Sequence, residues 1–313
     1  MTADLYSLLG ELEGNIRQVV LGKAHVVRMC LVALLAEEHV LLEDVPGVGK
    51  TLVGKAIAKS VTGDFARIQF TPDLLPSDII GSSIYDATTG EFSFRQGPVF
   101  ANVVLADEIN RTPPRTQSAL LESMSDHQAT VDGVSHRLPR PFMVIATQNP
   151  FEFEGTYPLP ESQLDRFLMR ISMGYPDREE ERQILQSHRA GEPVDDLRPV
   201  IDRKQIVALQ NATREIRVDE SINDYVLDIV NSTRECDDLH VGVSTRGALS
   251  LYRACQALAF LEGRDFAAPD DVKELAVPVL SHRVIPKGYL YGGQRQAIES
   301  LVKRLVDEVT VPV

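Results

Sequence analysis

The chain has 313 residues, 43% of them apolar and 25% charged, which suits two folded domains and excludes a disordered chain, a collagen-like chain and a coiled-coil rod. Its 32 basic and 45 acidic residues give a net charge of −13, which disfavours sequence-independent binding to nucleic acid and to anionic membranes. The start of the chain lacks the pattern of a signal peptide, and the longest apolar run, Met29–Ala36, is far shorter than the roughly 18 residues of a membrane span. We therefore expect a cytoplasmic protein.

The first half of the chain alternates helical and strand patterns. Apolar residues at helical spacing between Leu5 and Val19 predict an opening helix. Short apolar runs rich in β-branched residues then predict five strands, at Val40–Leu42, Arg67–Phe70, Val103–Asp107, Met143–Thr147 and Leu168–Met173. Strands separated by helical segments indicate a parallel sheet with crossover helices.

The pattern becomes almost purely helical after Pro176. Apolar residues keep helical spacing over residues 222–230 and 298–309. The sequence Ala268-Pro269-Asp270-Asp271 is typical of a helix start, because proline fits the first turn and acidic residues face the positive end of the helix dipole. We predict an α/β domain over residues 1–175 and a smaller all-α domain over residues 176–313.

A phosphate-binding loop is the central motif. Residues 41–51 read Leu-Leu-Glu-Asp-Val-Pro-Gly-Val-Gly-Lys-Thr, between a predicted strand and a helical segment. Gly47 and Gly49 let the backbone turn its N–H groups toward phosphate oxygens, Lys50 would reach the β and γ phosphates, and Thr51 would place its hydroxyl on Mg²⁺. Asp44 stands where the standard pattern has glycine, at the strand exit and away from the phosphates. The predicted nucleotide-binding residues are Pro46, Gly47, Val48, Gly49, Lys50, Thr51 and Leu52.

Asp107 and Glu108 lie at the end of the apolar strand that begins at Val103. Asp107 is 57 residues after Lys50. Acidic residues at the C-terminal end of a buried parallel strand lie at the edge of the sheet where ligands bind. Asp107 would hold Mg²⁺ through water, and Glu108 would orient and activate the attacking water. The pairing favours NTPases that carry their base on the same strand as the magnesium ligand.

With these motifs in order, the chain resembles the MoxR family of AAA+ ATPases. The stretches that carry the resemblance are Phe70–Asp78, Asp107–Arg111, Pro113–Gln117, Ala146–Pro150 and Glu154–Glu161. It implies a P-loop NTPase core of the AAA+ type with a parallel sheet and flanking helices, followed by a helical lid. It further implies ATP hydrolysis by a ring, commonly a hexamer, and a chaperone-like role in remodelling, maturing or assembling proteins. Partners with a von Willebrand factor A-type domain are frequent in the family.

Asn149 follows the fourth predicted strand. A polar side chain there can lie between the phosphate loop and the acidic pair and hold the attacking water, and the resemblance assigns Asn149 as the first sensor. The alternative is that Asn-Pro only starts a turn.

Two arginines complete the predicted site through the resemblance. Arg166 matches the arginine that reaches the γ-phosphate bound by a neighbouring subunit, where the planar guanidinium suits a phosphoryl group in transfer. Arg170 is the rival, and a surface ion pair of Arg166 with an acidic neighbour is the plain alternative. Arg246 opens a helix capped by Ser244 or Thr245 and resembles the second sensor, with an ordinary first-turn arginine as the alternative.

Ser83–Phe94 and Gln128–Leu138 are predicted as hairpins inserted into the core, the second with an Asp132-Gly133 turn. In similar proteins such hairpins line the pore of the ring and touch substrate, although plain surface hairpins fit the sequence equally well. Helicases share these insertions, so a nucleic-acid motor is the second hypothesis. A motor needs a basic pore, whereas the first hairpin carries Asp86 and Glu91 without lysine or arginine. A scaffold that binds nucleotide without hydrolysis is the third hypothesis, and the complete set of catalytic residues argues against it.

Overall fold

The computed structural model describes residues 2–88, 90–150, 155–288 and 294–312. Within these residues the helices are α1 Thr2–Arg17, α2 Ala24–Leu35, α3 Lys50–Ser60, α4 Pro76–Ile80, α5 Pro114–Asp126, α6 Glu161–Leu164, α7 Arg178–Ser187, α8 Arg203–Arg214, α9 Glu220–Glu235, α10 Thr245–Leu261, α11 Pro269–Leu280 and α12 Gln294–Glu308. The strands are β1 Val40–Glu43, β2 Val61–Thr62, β3 Phe65–Gln69, β4 Gly81–Asp86, β5 Glu91–Gln96, β6 Val103–Asp107, β7 Gln128–Val131, β8 Val134–Arg137, β9 Met143–Gln148, β10 Met169–Ile171, β11 Ile201–Asp202, β12 Leu239–Val241 and β13 Ile285–Pro286. None of the helices described here is both long and apolar enough to cross a membrane.

A five-stranded sheet in the order β10-β1-β9-β6-β3 forms the centre of the first half of the chain. The pairs β1–β9, β9–β6 and β6–β3 are parallel. The strands β1 and β6 are buried at every residue, and β9 at every residue but the last, which is why their sequences are continuous apolar runs rather than alternating ones. All five strands coincide with the predicted runs, with ends that shift by up to two residues, so the predicted parallel α/β architecture is confirmed.

Both predicted hairpins are present. β4 pairs antiparallel with β5, from Gly81↔Gln96 to Asp86↔Glu91, so this hairpin is longer than the predicted Ser83–Phe94 and includes Arg95. β7 pairs antiparallel with β8, and the intervening Asp132 and Gly133 have φ of +51° and +78°. Two successive residues in the left-handed region form the tight turn whose twist matches paired strands.

The chain forms two compact units that are discontinuous in sequence. The first contains the described residues of Met1–Cys30, His39–Leu159 and Ile171–Val207, and the second those of Leu31–Glu38, Pro160–Arg170 and Ala208–Val313. This division differs from the predicted boundary between residues 175 and 176. Residues 171–207 remain with the first unit because β11 pairs with β2 and the Val200 N–H donates to the Ser60 carbonyl at 3.0 Å. Such long-range pairing leaves no mark on local composition.

The second unit is built mainly from α9, α10, α11 and α12. The apolar residues predicted for α9 are buried, among them Ile222, Tyr225 and Ile229. α10 begins after Ser244, whose hydroxyl accepts from the Gly247 N–H at 3.2 Å. Of the two predicted caps, Ser244 and Thr245, the structure therefore has Ser244. The short antiparallel pair β12–β13 is an addition to the all-α pattern predicted for this part of the chain.

Candidate nucleotide-binding and hydrolysis site

A cleft of about 380 Å³ lies in the first unit, at the C-terminal ends of β1, β6 and β9 and the N-terminus of α3. Such an edge of a parallel sheet is where nucleotides bind in open α/β folds. Its lining residues are Pro46, Gly47, Gly49, Lys50, Thr51, Leu52, Lys55, Arg67, Gln69, Asp107, Glu108, Thr147, Gln148, Asn149, Glu192 and Val194. The structure therefore places the predicted loop, the acidic pair and Asn149 around one cavity. Of the predicted loop residues, Val48 alone is absent from this lining.

The loop between β1 and α3 owes its path to two glycines. Gly47 and Gly49 have φ of +85° and +91°, in the region that side-chain-bearing residues rarely adopt. α3 begins at Lys50, immediately after Gly49, so the backbone N–H groups of its first turn lie at the cleft. These groups and the positive end of the helix dipole form a site for an anion such as phosphate.

Lys50 contacts the start of its own loop. Its ammonium donates to the carbonyl oxygens of Asp44 and Val45, the latter at 2.9 Å. Burial lowers the pKa of Lys50 below its ordinary value, and the carboxylates of Asp44, Glu108, Asp107 and Glu43 oppose that shift. The lysine is thus held in the cleft by carbonyl dipoles, beside the acidic pair.

Asp44, the departure from the standard loop pattern, fastens the loop to the chain that follows β10. Its carboxylate accepts hydrogen bonds from the Ser172 hydroxyl at 2.6 Å and from the N–H groups of Met173 and Gly174 at 2.9 and 2.7 Å. Burial alone would raise the pKa of Asp44, but these bonds and one from the Val45 N–H outweigh it and lower that pKa. Asp44 is outside the lining of the cleft, as the sequence predicts, and glycine could not make these contacts.

Asp107 is buried at the end of β6 and is held by two hydroxyl groups. Thr51 donates to its carboxylate at 3.2 Å, and Thr147, at the end of β9, donates at 3.0 Å. Thr147 also accepts from the Glu108 N–H at 2.9 Å. The Thr51 hydroxyl and the Asp107 carboxylate together form an oxygen donor set, which is the chemistry that Mg²⁺ requires. The residues present therefore fit a magnesium ion.

Two residues of the neighbouring strand β3, Arg67 and Gln69, link the carboxylates of Asp107 and Glu108 through hydrogen bonds. Arg67 donates from Nε to Asp107 at 2.8 Å and from Nη2 to Gln69 at 3.1 Å. Gln69 in turn donates to the Glu108 carboxylate at 2.8 Å. Arg111 donates to the same Glu108 oxygen at 3.0 Å. Both carboxylates of the acidic pair are thereby held in defined orientations.

The backbone of Glu108 turns sharply where β6 ends. Its φ of +58° is in the left-handed region, which is uncommon for a residue with a long side chain. The bond from its N–H to Thr147 anchors this turn, and the side chain is about one-third exposed in the cleft. Asn149 lies nearby and is buried, and its carbonyl accepts from the Asn110 side chain at 3.2 Å.

Similarity to known proteins agrees with this geometry. The profile of the ATPase family associated with various cellular activities (AAA) matches residues 39–169, and that of the AAA lid domain matches residues 231–302. The Chaperone MoxR1 of Mycobacterium tuberculosis is 41% identical over 309 residues, which cover 95% of this chain and 81% of that protein. The chain belongs to the MoxR family of AAA+ ATPases. Accordingly, its enzymatic activity is the hydrolysis of ATP.

Two further similarities span the whole chain of this MoxR protein. YeaC of Bacillus subtilis is 50% identical over 312 residues, which cover 99% of this chain and 97% of YeaC. The crystal structure of a Cytophaga hutchinsonii protein assigned as an ATPase has a TM-score of 0.89 and 36% sequence identity, and covers 100% of this chain and 97% of that one. The AAA+ core followed by a helical lid, expected from the sequence, is therefore shown.

The remaining predicted residues of the MoxR protein lie in the second unit. Arg166 follows α6, Arg170 lies in β10, and Arg246 lies in the first turn of α10. Arg246 faces Asp165 of the same unit at 3.8 Å. The roles of the three arginines stay predictions. Glu154, the first residue of one family-like stretch, lies outside the described residues.

Proposed function

We propose that this MoxR protein binds ATP with Mg²⁺ in the cleft of its first unit and uses its hydrolysis for chaperone-like remodelling, maturation or assembly of partner proteins. The observation that carries the proposal is the meeting, in one cavity, of the loop residues Lys50 and Thr51 with the carboxylates of Asp107 and Glu108. A phosphate held by the loop would have the acidic pair beside it. A scaffold without catalysis would have no need of this second group of residues.

The chain's own groups divide the chemistry among them. The loop N–H groups and Lys50 bind the phosphates, and Thr51 and Asp107 would hold Mg²⁺, which neutralises phosphate charge when bound. Gln69 and Arg111 orient the Glu108 carboxylate, which accepts the proton of the attacking water. Asn149 is proposed to position that water.

Two substitutions test these roles separately. Lys50→Ala should weaken ATP binding strongly, since it removes the cation of the loop. Glu108→Gln should retain ATP binding and lose hydrolysis, because an amide keeps the shape of the carboxylate and accepts no proton. Binding is measured with a fluorescent ATP analogue and turnover by phosphate release. Normal ATP affinity in Lys50→Ala would exclude the loop assignment, and parent-level turnover in Glu108→Gln would exclude Glu108 as the base.

An exposed aromatic pair supports a protein client rather than a nucleic acid. Tyr85 and Phe92 face each other across the β4–β5 hairpin with ring centroids 5.2 Å apart, and they are 56% and 73% exposed. The hairpin carries Asp86, Glu91 and Arg95, a net charge of 1 − 2 = −1. An apolar, slightly acidic tip suits a peptide segment and repels a phosphate backbone.

The client proposal is tested by replacing the aromatic pair with serine. The Tyr85→Ser, Phe92→Ser variant should keep its basal ATP hydrolysis and lose stimulation by a co-expressed partner with a von Willebrand factor A-type domain, our proposed partner class. DNA and RNA serve as the opposing probes. Tight, steeply salt-dependent binding to either at physiological salt would favour the nucleic-acid motor instead.

We further propose that the protein assembles as a ring, a hexamer in the family pattern, in which Arg166 reaches the ATP of the neighbouring subunit. An arginine supplied in this way contributes about 10³-fold or more to turnover. Mixing Arg166→Ala with Glu108→Gln should restore part of the activity, since some interfaces then pair an intact Arg166 with an intact Glu108. A mixture that co-assembles and stays inactive contradicts independent action in trans. The cytoplasmic location expected from the sequence remains a prediction.

A further inference from the structure

A buried arginine that the proposed chemistry does not use lies in the second unit. Arg283, in the 3₁₀ turn after α11, has a side chain that is 1% exposed. Its Nε donates to the Asp165 carboxylate at 2.8 Å. Burial lowers the pKa of Arg283, while Asp165 opposes that shift. An arginine guanidinium is not deprotonated in proteins, so this group is a buried cation. A buried charge of this kind needs a compensating partner, and Asp165 provides it.

The same guanidinium also holds the main chain on both sides of Arg166. Its terminal nitrogens donate to the carbonyl oxygens of Asp165, Phe167 and Leu168, at 3.3, 2.7 and 2.9 Å. The Val279 carbonyl and the Ser250 hydroxyl accept further bonds from it. Three carbonyls of one short segment are thus fixed by one planar, rigid donor group, and the backbone that carries Arg166 has little freedom.

Asp165 contacts a second arginine as well. Its other carboxylate oxygen lies 3.8 Å from Arg246, whose side chain is more than half exposed. One carboxylate therefore faces both the buried Arg283 and the exposed Arg246, and it directly precedes Arg166 in the chain. Stability alone does not require this arrangement, because apolar residues of similar volume often replace a buried ion pair without loss.

We propose that Asp165 and Arg283 are positioning residues that act through Arg166, fixing the segment 165–168 so that the Arg166 side chain is presented to the neighbouring subunit. This inference rests on the proposed role of Arg166. Asp165 accepts from Arg283 and sets the start of the segment, and Arg283 fixes the carbonyls that follow. Neither residue contacts the nucleotide in this scheme, so their loss should lower turnover without weakening ATP binding.

The test combines kinetics with a double variant of the full-length protein. Asp165→Asn keeps the shape of the side chain and removes its charge. We expect its kcat to fall by about 10²-fold, the cost of a displacement of roughly 1 Å at a reacting centre, with the KM for ATP unchanged. The Asp165→Asn, Arg166→Ala double variant should be no slower than Arg166→Ala, because residues that act through one group are not additive. Arg283→Lys, which keeps the charge and loses the planar fork, should repeat the loss of kcat.

Asp271→Asn is the matched control. Asp271 is a buried carboxylate of the same unit that pairs with Arg264 at 2.9 Å and accepts from the Ala268 N–H at 2.7 Å. Its substitution should lower the melting temperature and leave kcat unchanged. If Arg166→Ala is slow but Asp165→Asn has parent kcat, or if the two losses multiply in the double variant, the positioning role is wrong and the proposed role of Arg166 stands. If Arg166→Ala itself hydrolyses ATP at the parent rate, the trans-arginine proposal fails, and the positioning role fails with it.

Discussion

Thr147 bears no motif that would assign it to the site from the sequence, yet it contacts both residues of the acidic pair, and replacing it tests how that pair is held. The change is Thr147→Val, which replaces the hydroxyl with a methyl group of nearly equal size. The Thr147 hydroxyl donates to the buried Asp107 at 3.0 Å and accepts from the Glu108 N–H at 2.9 Å. A hydrogen bond to a charged group contributes about 1.5–3 kcal/mol, and a buried N–H left unpaired costs about 1–3 kcal/mol. Both effects come from the loss of one hydroxyl, so they overlap and do not simply add. We expect the free energy of unfolding to fall by about 3 kcal/mol.

Thr147→Val should also slow ATP hydrolysis. The Thr147 bond anchors the left-handed turn at Glu108, so its loss should displace the base and lower kcat by about tenfold or more. Unfolding is followed in urea, and turnover by phosphate release at saturating ATP. Thr147→Ser is the matched control, because it retains the hydroxyl and should keep most of both properties. The reasoning is refuted if Thr147→Val unfolds within about 0.5 kcal/mol of the parent, the range of neutral surface changes, and turns over ATP at the parent rate.

Two further predictions concern a buried histidine and a loop glycine. Burial lowers the pKa of His39 to about 4, so His39 is protonated at a lower pH in the folded state than in the unfolded state. The free energy of unfolding keeps the full contribution of neutral His39 above pH 6.5 and should fall by about 3 kcal/mol as the pH drops from 6.5 to 4. His39→Gln should reduce the pH dependence of the unfolding free energy by the contribution of about one proton, measured by urea unfolding at a series of pH values. An unchanged pH dependence would contradict the assignment to His39. Gly49→Ala should cost about 1–2 kcal/mol from its φ of +91° alone, since the new Cβ would be 3.8 Å from the nearest side chain, Met173. Its ATP affinity should fall in a titration while its melting temperature drops by only a few degrees, and unaltered affinity would mean that the loop does not need this conformation.

The sequence predicts those parts of the molecule whose signal is local. The strands β1, β6 and β9 are buried on both faces, so their apolar runs are visible without any knowledge of neighbours. The loop before α3 and the acidic pair after β6 are each contained in a few consecutive residues. The Asp132-Gly133 turn is equally local, because its two residue types tolerate the left-handed region.

Contacts between distant parts of the chain account for what the sequence does not reveal. The acceptor role of Asp44 depends on Ser172, Met173 and Gly174, about 130 residues later in the chain. The inclusion of residues 171–207 in the first unit depends on β11 meeting β2. Local composition contains no trace of either contact, whereas the change in pattern near Pro176, on which the predicted domain boundary rests, is visible in the sequence itself.

Arg67 and Gln69 of β3 belong to the site because of the register in which β3 pairs with β6, and the sequence does not specify that register. In β3 the polar residues Arg67 and Gln69 lie on either side of the buried Ile68. This alternation indicates only that one face of the strand accommodates polar side chains. The parallel register between β3 and β6 places Gln69 directly opposite Asp107. Because side chains two residues apart share one face, Arg67 lies on the face of Gln69 and reaches Asp107, while Gln69 reaches Glu108. A shift of the register by one residue would turn both side chains away from the acidic pair, so their part in the site follows from strand pairing, which the alternation alone does not specify.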